Sequence, residues 1–256
     1  MRSLVSWCCA GATALAVSGI GAVPVRAADV GTITGQVVLD GAMPKLDPKV
    51  VKGDMTAKDA AVCAAEGVPN EDLVVDAETK GIANVVVFLR KAPDGMPADL
   101  KKSSEEGVTF DQKGCIFLPH VLAVRTDQVV NCISNDGVAH NVHTYPLKND
   151  GKNFVVPPNT KTPTAVPMKQ VETLPVKVGC DIHPWMTAYW VVTDHPYVAI
   201  TDEKGNFTIE NLPVGEHVFT VWQEKAGYIE RSFKVNVKAG DNKLPPLKAP
   251  VAKFKL

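Results

Sequence analysis

Cys180, His183 and Met186 stand in a C-x2-H-x2-M spacing within the stretch "VGCDIHPWMTAYW", Val178 to Trp190. A thiolate and an imidazole can bind metal or act as nucleophile and base, and a thioether is a soft, weak ligand. Taken singly, each has an ordinary reading: Cys and Met as core residues, His as a hydrogen-bonded side chain. They form a site only if the chain brings them to one point. In "VETLPVKVGC", Leu174, Val176, Val178 and Cys180 alternate with Thr173, Pro175, Lys177 and Gly179. That period predicts a strand ending with Cys180 on its inward face. "DIHPWM" then reads as a short loop and "TAYWVV" as the next strand, which gathers the donors at one end of a β-sandwich.

His140, in "NDGVAHNVHTY", is the candidate fourth donor. It opens a strand that follows another ending near Ser134, through the polar turn Asn135 to Gly137. Two imidazoles, one thiolate and one thioether are the ligand set of a blue-copper electron-transfer site. Sulfur suits Cu(I), and imidazole suits both oxidation states. One copper ion held by His140, Cys180, His183 and Met186 is therefore the expected cofactor. His143, three residues after His140, falls on the opposite face of the strand. His120, beside Pro119, reads as a hydrogen-bonded structural residue. Either could serve a second metal, and spacing does not decide. His195 and His217 read as linker and surface residues.

Other chemistries fit less well. An oxygen-reducing multicopper centre needs H-x-H pairs, and the sequence contains none. A zinc hydrolase keeps an open position for water and does not normally use Met. Cys180 and His183 could pair as nucleophile and base, but no triad partner or oxyanion hole is evident. The chain is therefore not expected to be an enzyme.

The elements that must position these residues are mostly strands. "GTITGQVVLDG" (31–41) alternates, "IANVVVFLR" (82–90) is a β-rich run, and "VLAVRTDQVVNCIS" reads as two strands about a turn at Thr126 and Asp127. One short helix is expected in "TAKDAAVCAAEG", with Thr56 as N-cap and Gly67 as the stop. "LKNDGKNFVVPPNTKTPTAVP" (147–167) reads as a long surface loop, and the tail from Lys243 as an edge segment or a loosely ordered one. The fold class is all-β.

The N-terminus has the form of an export signal, with Arg2, an apolar stretch over 4–23 and a cleavage-like "VRA" at 25–27. Residues 1–27 are taken as a signal peptide removed on export, an uncleaved anchor being the alternative. No other segment is apolar enough to span a bilayer, so no membrane span is expected in the mature chain. A formal charge of −1 without charge blocks points to no nucleic acid. Export to the periplasm or beyond permits a disulfide. Cys132 shares a strand face with Val130 and Ser134 and reads as core. Cys63 and Cys115 lie in turn-like surroundings and are the favoured pair, although sequence alone does not fix connectivity.

"HNVH" at 140–143 together with "CDIHPWM" at 180–186 resembles the cupredoxins, the blue copper proteins of amicyanin and plastocyanin type, over roughly residues 115–194. The resemblance implies a Greek-key β-sandwich or barrel with one type 1 copper. His140, Cys180 and His183 would be its equatorial ligands and Met186 its axial one. Asn141 would hydrogen-bond the ligand loop and hold the site closed. Pro184 and Trp185 pack under the loop and also flank the His183 edge, which is expected to be exposed as the electron's port. They form a candidate docking patch for a redox protein partner. Asp181 and Ile182 depart from the small or Pro residues common in the family, and the Asp181 charge is expected to favour Cu(II).

"AITDEKGNFTIENLPVGEHVFTVW" at 199–222, with "GTITGQV" at 31–37 and "VVVFL" at 85–89, resembles two halves of a carboxypeptidase regulatory-like (transthyretin-like) β-sandwich. The implied organisation places the first part at 30–105, a cupredoxin domain at 108–196 and the second part at 197–256. Two tandem domains are the alternative. The expected function is that of an exported mononuclear blue copper protein carrying single electrons between redox partners. The alternative is a non-redox cell-envelope binding module, or a copper storage or delivery protein.

Overall fold

The computed structural model describes residues 30–255, and the expected export signal over 1–27 lies outside the described residues. Alternation in "VGTITGQVVLD" forms strand β1 (Val30–Asp40), which buries Ile33, Val37 and Leu39 on one face. Gly35 on that face is required by close approach: a Cβ there would lie 2.6 Å from the Phe207 ring. After β1 come β2 (Val86–Leu89), β3 (Gly107–Lys113), β4 (Ile116–Leu118), β5 (Val121–Arg125) and β6 (Val129–Cys132). The chain continues through β7 (His140–Tyr145), β8 (Asn153–Val156), β9 (Thr164–Pro167), β10 (Val176–Gly179) and β11 (Thr187–Thr193). It ends with β12 (Val198–Ile200), β13 (Asn206–Pro213), β14 (Gly215–Gln223), β15 (Gly227–Val237), β16 (Gly240–Lys243) and β17 (Leu247–Pro250).

The strands form two pairs of sheets. One pair has the orders β5-β11-β10-β7-β8 and β4-β3-β6-β9, and all its strands lie between Gly107 and Thr193. The chain passes repeatedly from one of these sheets to the other, as at β5 to β6 and β6 to β7. Phe110, Phe117, Cys132, Val142, Val178 and Trp190 fill the space between them. The second pair has the orders β13-β1-β16, with β17 also on β1, and β12-β2-β14-β15. Its strands come from both ends of the described chain and enclose Ile33, Val37, Leu212, Phe219 and Val221. The fold is all-β apart from short helical turns.

"VVFL" of β2 is buried at every position because both its faces are covered. Val87 and Leu89 face the second core, whereas Val86 and Phe88 pack with Val121, Val191 and Trp222 between the two sandwiches. The segment 49–72, between β1 and β2, lies against the first core instead, through Val50, Cys63, Ala64 and Val68.

Three sequence expectations change here. The helix is only α1 (Ala60–Cys63), preceded by Asp59 rather than capped by Thr56, whose hydroxyl bonds Asp54. The 147–167 stretch contains β8 and β9. Each is four residues long, too short for alternation to outweigh the Pro and Asn around it, and each is fixed by pairing with β7 or β6. His195 and His217 are buried, at 1% and 9% exposure, because the ends of β11 and β14 are covered by neighbouring chain. Among the described residues no helix is long and apolar enough to cross a membrane.

Candidate metal centre

Strand pairing brings the distant donors together. β10 lies between β7 and β11, pairing Gly179 with His143 on one side and with Thr187 on the other. Cys180 therefore leaves β10 beside the start of β7, where His140 sits. The 180–186 loop closes on itself: the Cys180 N–H donates to the Met186 carbonyl at 3.3 Å, and the Met186 N–H to the His183 carbonyl at 2.9 Å. One ring nitrogen each from His140 and His183 and the Cys180 sulfur lie within 4.8 Å of one another, and all three residues are buried. The two Nδ1 atoms are 3.0 Å apart, and His183 Nδ1 is 3.9 Å from the Cys180 Sγ. Met186, 1% exposed, is buried in the same core.

The sulfur is held as an acceptor. The backbone N–H groups of Asn141 and His183 both donate to Cys180 Sγ at 3.4 Å. Burial raises the pKa of this thiol, but bonds from His140, His183 and those amides outweigh it and bring it down to about 6. Burial likewise lowers the pKa of His140, but the Asp136 carboxylate and the neighbouring sulfur lift it to about 9. Asn141 joins strand to loop: its Oδ1 accepts from the Asp181 N–H at 2.6 Å and the Ile182 N–H at 3.3 Å.

Two carboxylates back the two rings. His140 Nε2 is 2.8 Å from Asp136 Oδ2, and His183 Nε2 is 3.0 Å from Asp59 Oδ2. Each Nε2 is therefore the N–H side of its ring, so both Nδ1 atoms turn inward. With His140 charged, a single Nδ1 proton stands between the rings. A metal bound by both Nδ1 atoms would displace it. The donor set, a low-pKa thiolate and two imidazoles with second-sphere partners, fits copper.

Neither carboxylate carries a clear mark in the sequence. Asp136 lies in the turn four residues before His140, and that "NDG" spacing was its only signal. Its carboxylate also accepts from the Gly114 and Cys115 N–H groups at 2.7 and 2.8 Å. Burial raises its pKa, and the His140 bond and these amides carry it below 3.8. A lowered folded-state value means the stabilisation is present above pH 3.8 and is lost as pH falls through that folded value. We expect Asp136→Asn to destabilise the metal-free protein by about 2–3 kcal/mol at neutral pH. The gap to the parent should narrow in urea unfolding at strongly acid pH, and a gap of unchanged size there would refute the account.

The remaining candidates fall as follows. Cys63 and Cys115 form a disulfide across 52 residues of sequence, and Cys132 is a buried free thiol. The Cys115 sulfur is also within 4.8 Å of ligand atoms of Asp136 and His140, but the disulfide occupies it. His143 faces away from the donor group and contacts Asp181 at 3.1 Å and the Tyr145 hydroxyl at 2.9 Å. Asp181 is bonded to His143, Asn141 and Asn153, so its charge is engaged at the rim. His120 Nε2 is 2.5 Å from Glu224 Oε1. Pro184 is exposed, while Trp185 is half-buried, and its Nε1–H donates to the Cys115 carbonyl at 3.2 Å. One expectation is corrected. His183 has no exposed edge: its exposure is 0%, because the 54–67 segment covers it and sets Asp59 on Nε2.

No known family profile and no curated protein matches the chain. Among solved structures it is similar to part of a copper-containing nitrite reductase from Thermus scotoductus SA-01, with 19% identity and a TM-score of 0.29. That match covers 40% of this chain and 25% of the reductase, so the chain spans about a quarter of that protein's length. A reduced amicyanin mutant matches at 17% identity over 41% of this chain and 90% of its own, TM-score 0.29. A purple cupredoxin from Nitrosopumilus maritimus matches at 15% identity over 34% and 99%, TM-score 0.28. Likenesses this distant leave the chemistry to be argued from the donor atoms.

Proposed function

We propose that the protein is an exported mononuclear type 1 copper protein that carries single electrons between redox partners. The observation that supports this reading is the convergence of His140 Nδ1, His183 Nδ1 and Cys180 Sγ in one buried group, with Met186 buried in the same core. Copper held there would supply a one-electron couple. The chain's own contribution is rigidity. Asn141 ties β7 to the ligand loop, two backbone amides fix the sulfur, and two carboxylates orient the rings. A site fixed on all sides relaxes little between oxidation states, which keeps electron exchange fast. We assign Met186 as the axial ligand and the ligand-bearing sandwich to residues 108–196, set between parts 30–105 and 197–256 of the other. The disulfide fits an oxidising compartment, in keeping with export.

The covering of His183 favours a second reading, a copper-holding protein with no electron partner. Copper(II) titration of the purified protein separates the two. Intense thiolate-to-copper absorption that bleaches with reductant and returns on reoxidation supports the carrier. A colourless protein that takes only Cu(I) supports the second reading, and no copper uptake defeats both.

A further inference from the structure

Asp59 belongs to neither sheet of the ligand-bearing sandwich and reaches His183 from 124 residues away in sequence. Four observations show that its place is built. Its backbone is left-handed, φ 53° and ψ 41°, a conformation few non-glycine residues adopt. It stands at the N-cap of α1, where an Asp side chain would ordinarily accept from the first free helix N–H groups, yet it makes no such bond. Its carboxylate is turned to His183 Nε2 instead, at 3.0 Å. Cys63, four residues on, is bonded to Cys115, whose carbonyl accepts from Trp185 two residues after His183. The segment is thus also fastened to the neighbourhood of Trp185, whose ring lies 5.2 Å from that of His183.

We infer that Asp59 is a positioning residue of the metal centre: it holds the His183 ring by its Nε2–H with Nδ1 turned toward Cys180, and it closes that edge of the ring off from water. This rests on the copper reading for its effect on the metal, but not for its effect on the ring. Carboxylates placed behind a ligand histidine raise its basicity and hold its orientation, and their loss lowers metal affinity 10- to 100-fold in other sites. Asp136 serves His140 in the same way from within the sandwich. The centre therefore draws its two ring supports from two separate parts of the chain.

The test compares Asp59→Ala, Asp59→Asn and, as a control in the same segment, Thr56→Ala, whose side chain contacts Asp54 and not His183. In the metal-free protein, nitrogen-15 shifts of His183 should report a protonated Nε2 in the parent and in Asp59→Asn, whose amide oxygen still accepts. In Asp59→Ala the His140 Nδ1–H still faces His183 Nδ1, so the tautomer should persist, but the His183 Nε2–H should lose its partner and exchange with solvent at least 10-fold faster. With copper(II) bound, removal by a competing chelator should be at least 10-fold easier in Asp59→Ala, and Asp59→Asn should raise the midpoint potential. An unchanged His183 Nε2–H exchange rate in Asp59→Ala overturns the inference, as does a Thr56→Ala variant that loses copper equally. If the parent takes up no copper, the copper reading fails, and the Nε2–H exchange comparison still decides the role of Asp59.

Discussion

We expect Cys180→Ser to abolish the visible absorption of the copper-loaded protein and Cys132→Ala to leave it intact. Both cysteines are free and buried, so accessibility does not distinguish them. Their surroundings do. Cys180 Sγ faces two imidazoles and accepts from two backbone N–H groups, which bring its pKa down to about 6 and keep a thiolate available. Burial alone pushes the Cys132 thiol up to about 12, and its one polar contact is the Val130 carbonyl at 4.0 Å. A serine hydroxyl is a hard donor that stays protonated at neutral pH, so it replaces neither the charge nor the polarisable sulfur. Visible titration of both variants with copper(II) checks this. Colour surviving in Cys180→Ser, or lost in Cys132→Ala, would place the metal elsewhere.

Replacing Cys63 and Cys115 together by alanine should cost the metal-free protein about 4 kcal/mol, the loop-closure term for a cross-link of this span. The thermal midpoint should fall by on the order of 10 °C. Both sulfurs are almost completely buried, so the new alanines also leave a gap in the core beside Phe110 and Phe117. The loss should extend to the metal, because the segment carrying Asp59 is no longer fastened to Cys115. Denaturant unfolding of the double variant and of the reduced parent measures the first effect, and chelator competition measures the second. A shift under about 1 kcal/mol would mean that the 49–72 segment is held by its apolar contacts alone.

Three ligand candidates were legible because spacing and strand parity act over short distances. Cys180 and His183 share one loop, and β10 alternates cleanly at Val176 and Val178 before the cysteine, though Leu174 ahead of it is exposed. His140 could be added because a strand start is marked by its preceding turn. The two-sided burial of β2 was written in the unbroken "VVVFL" run. The covering of His183 was not legible. It depends on a four-residue helix with no periodicity to read and on a hydrogen bond between residues that only the tertiary fold makes neighbours. The burial of His195 and His217 escaped for a related reason: a polar residue type predicts exposure, and the chain segments that cover them come from elsewhere in sequence.

Cys115 joins several supports that a ligand diagram would omit. Its sulfur fastens the Asp59 segment, its N–H meets the carboxylate behind His140, and its carbonyl takes the indole beside His183. The metal centre is consequently not a portable cassette. A fragment cut at residues 107 and 193 would retain all four candidate ligands. It would lose Asp59 and one half of the disulfide, and it would bare Val121 and Val191 where β2 now covers them. A recombination event that moved only these strands into another protein would transfer the four candidate ligands without the groups that hold them in place. Moving this group of side chains intact therefore means moving the 49–72 segment and β2 along with it.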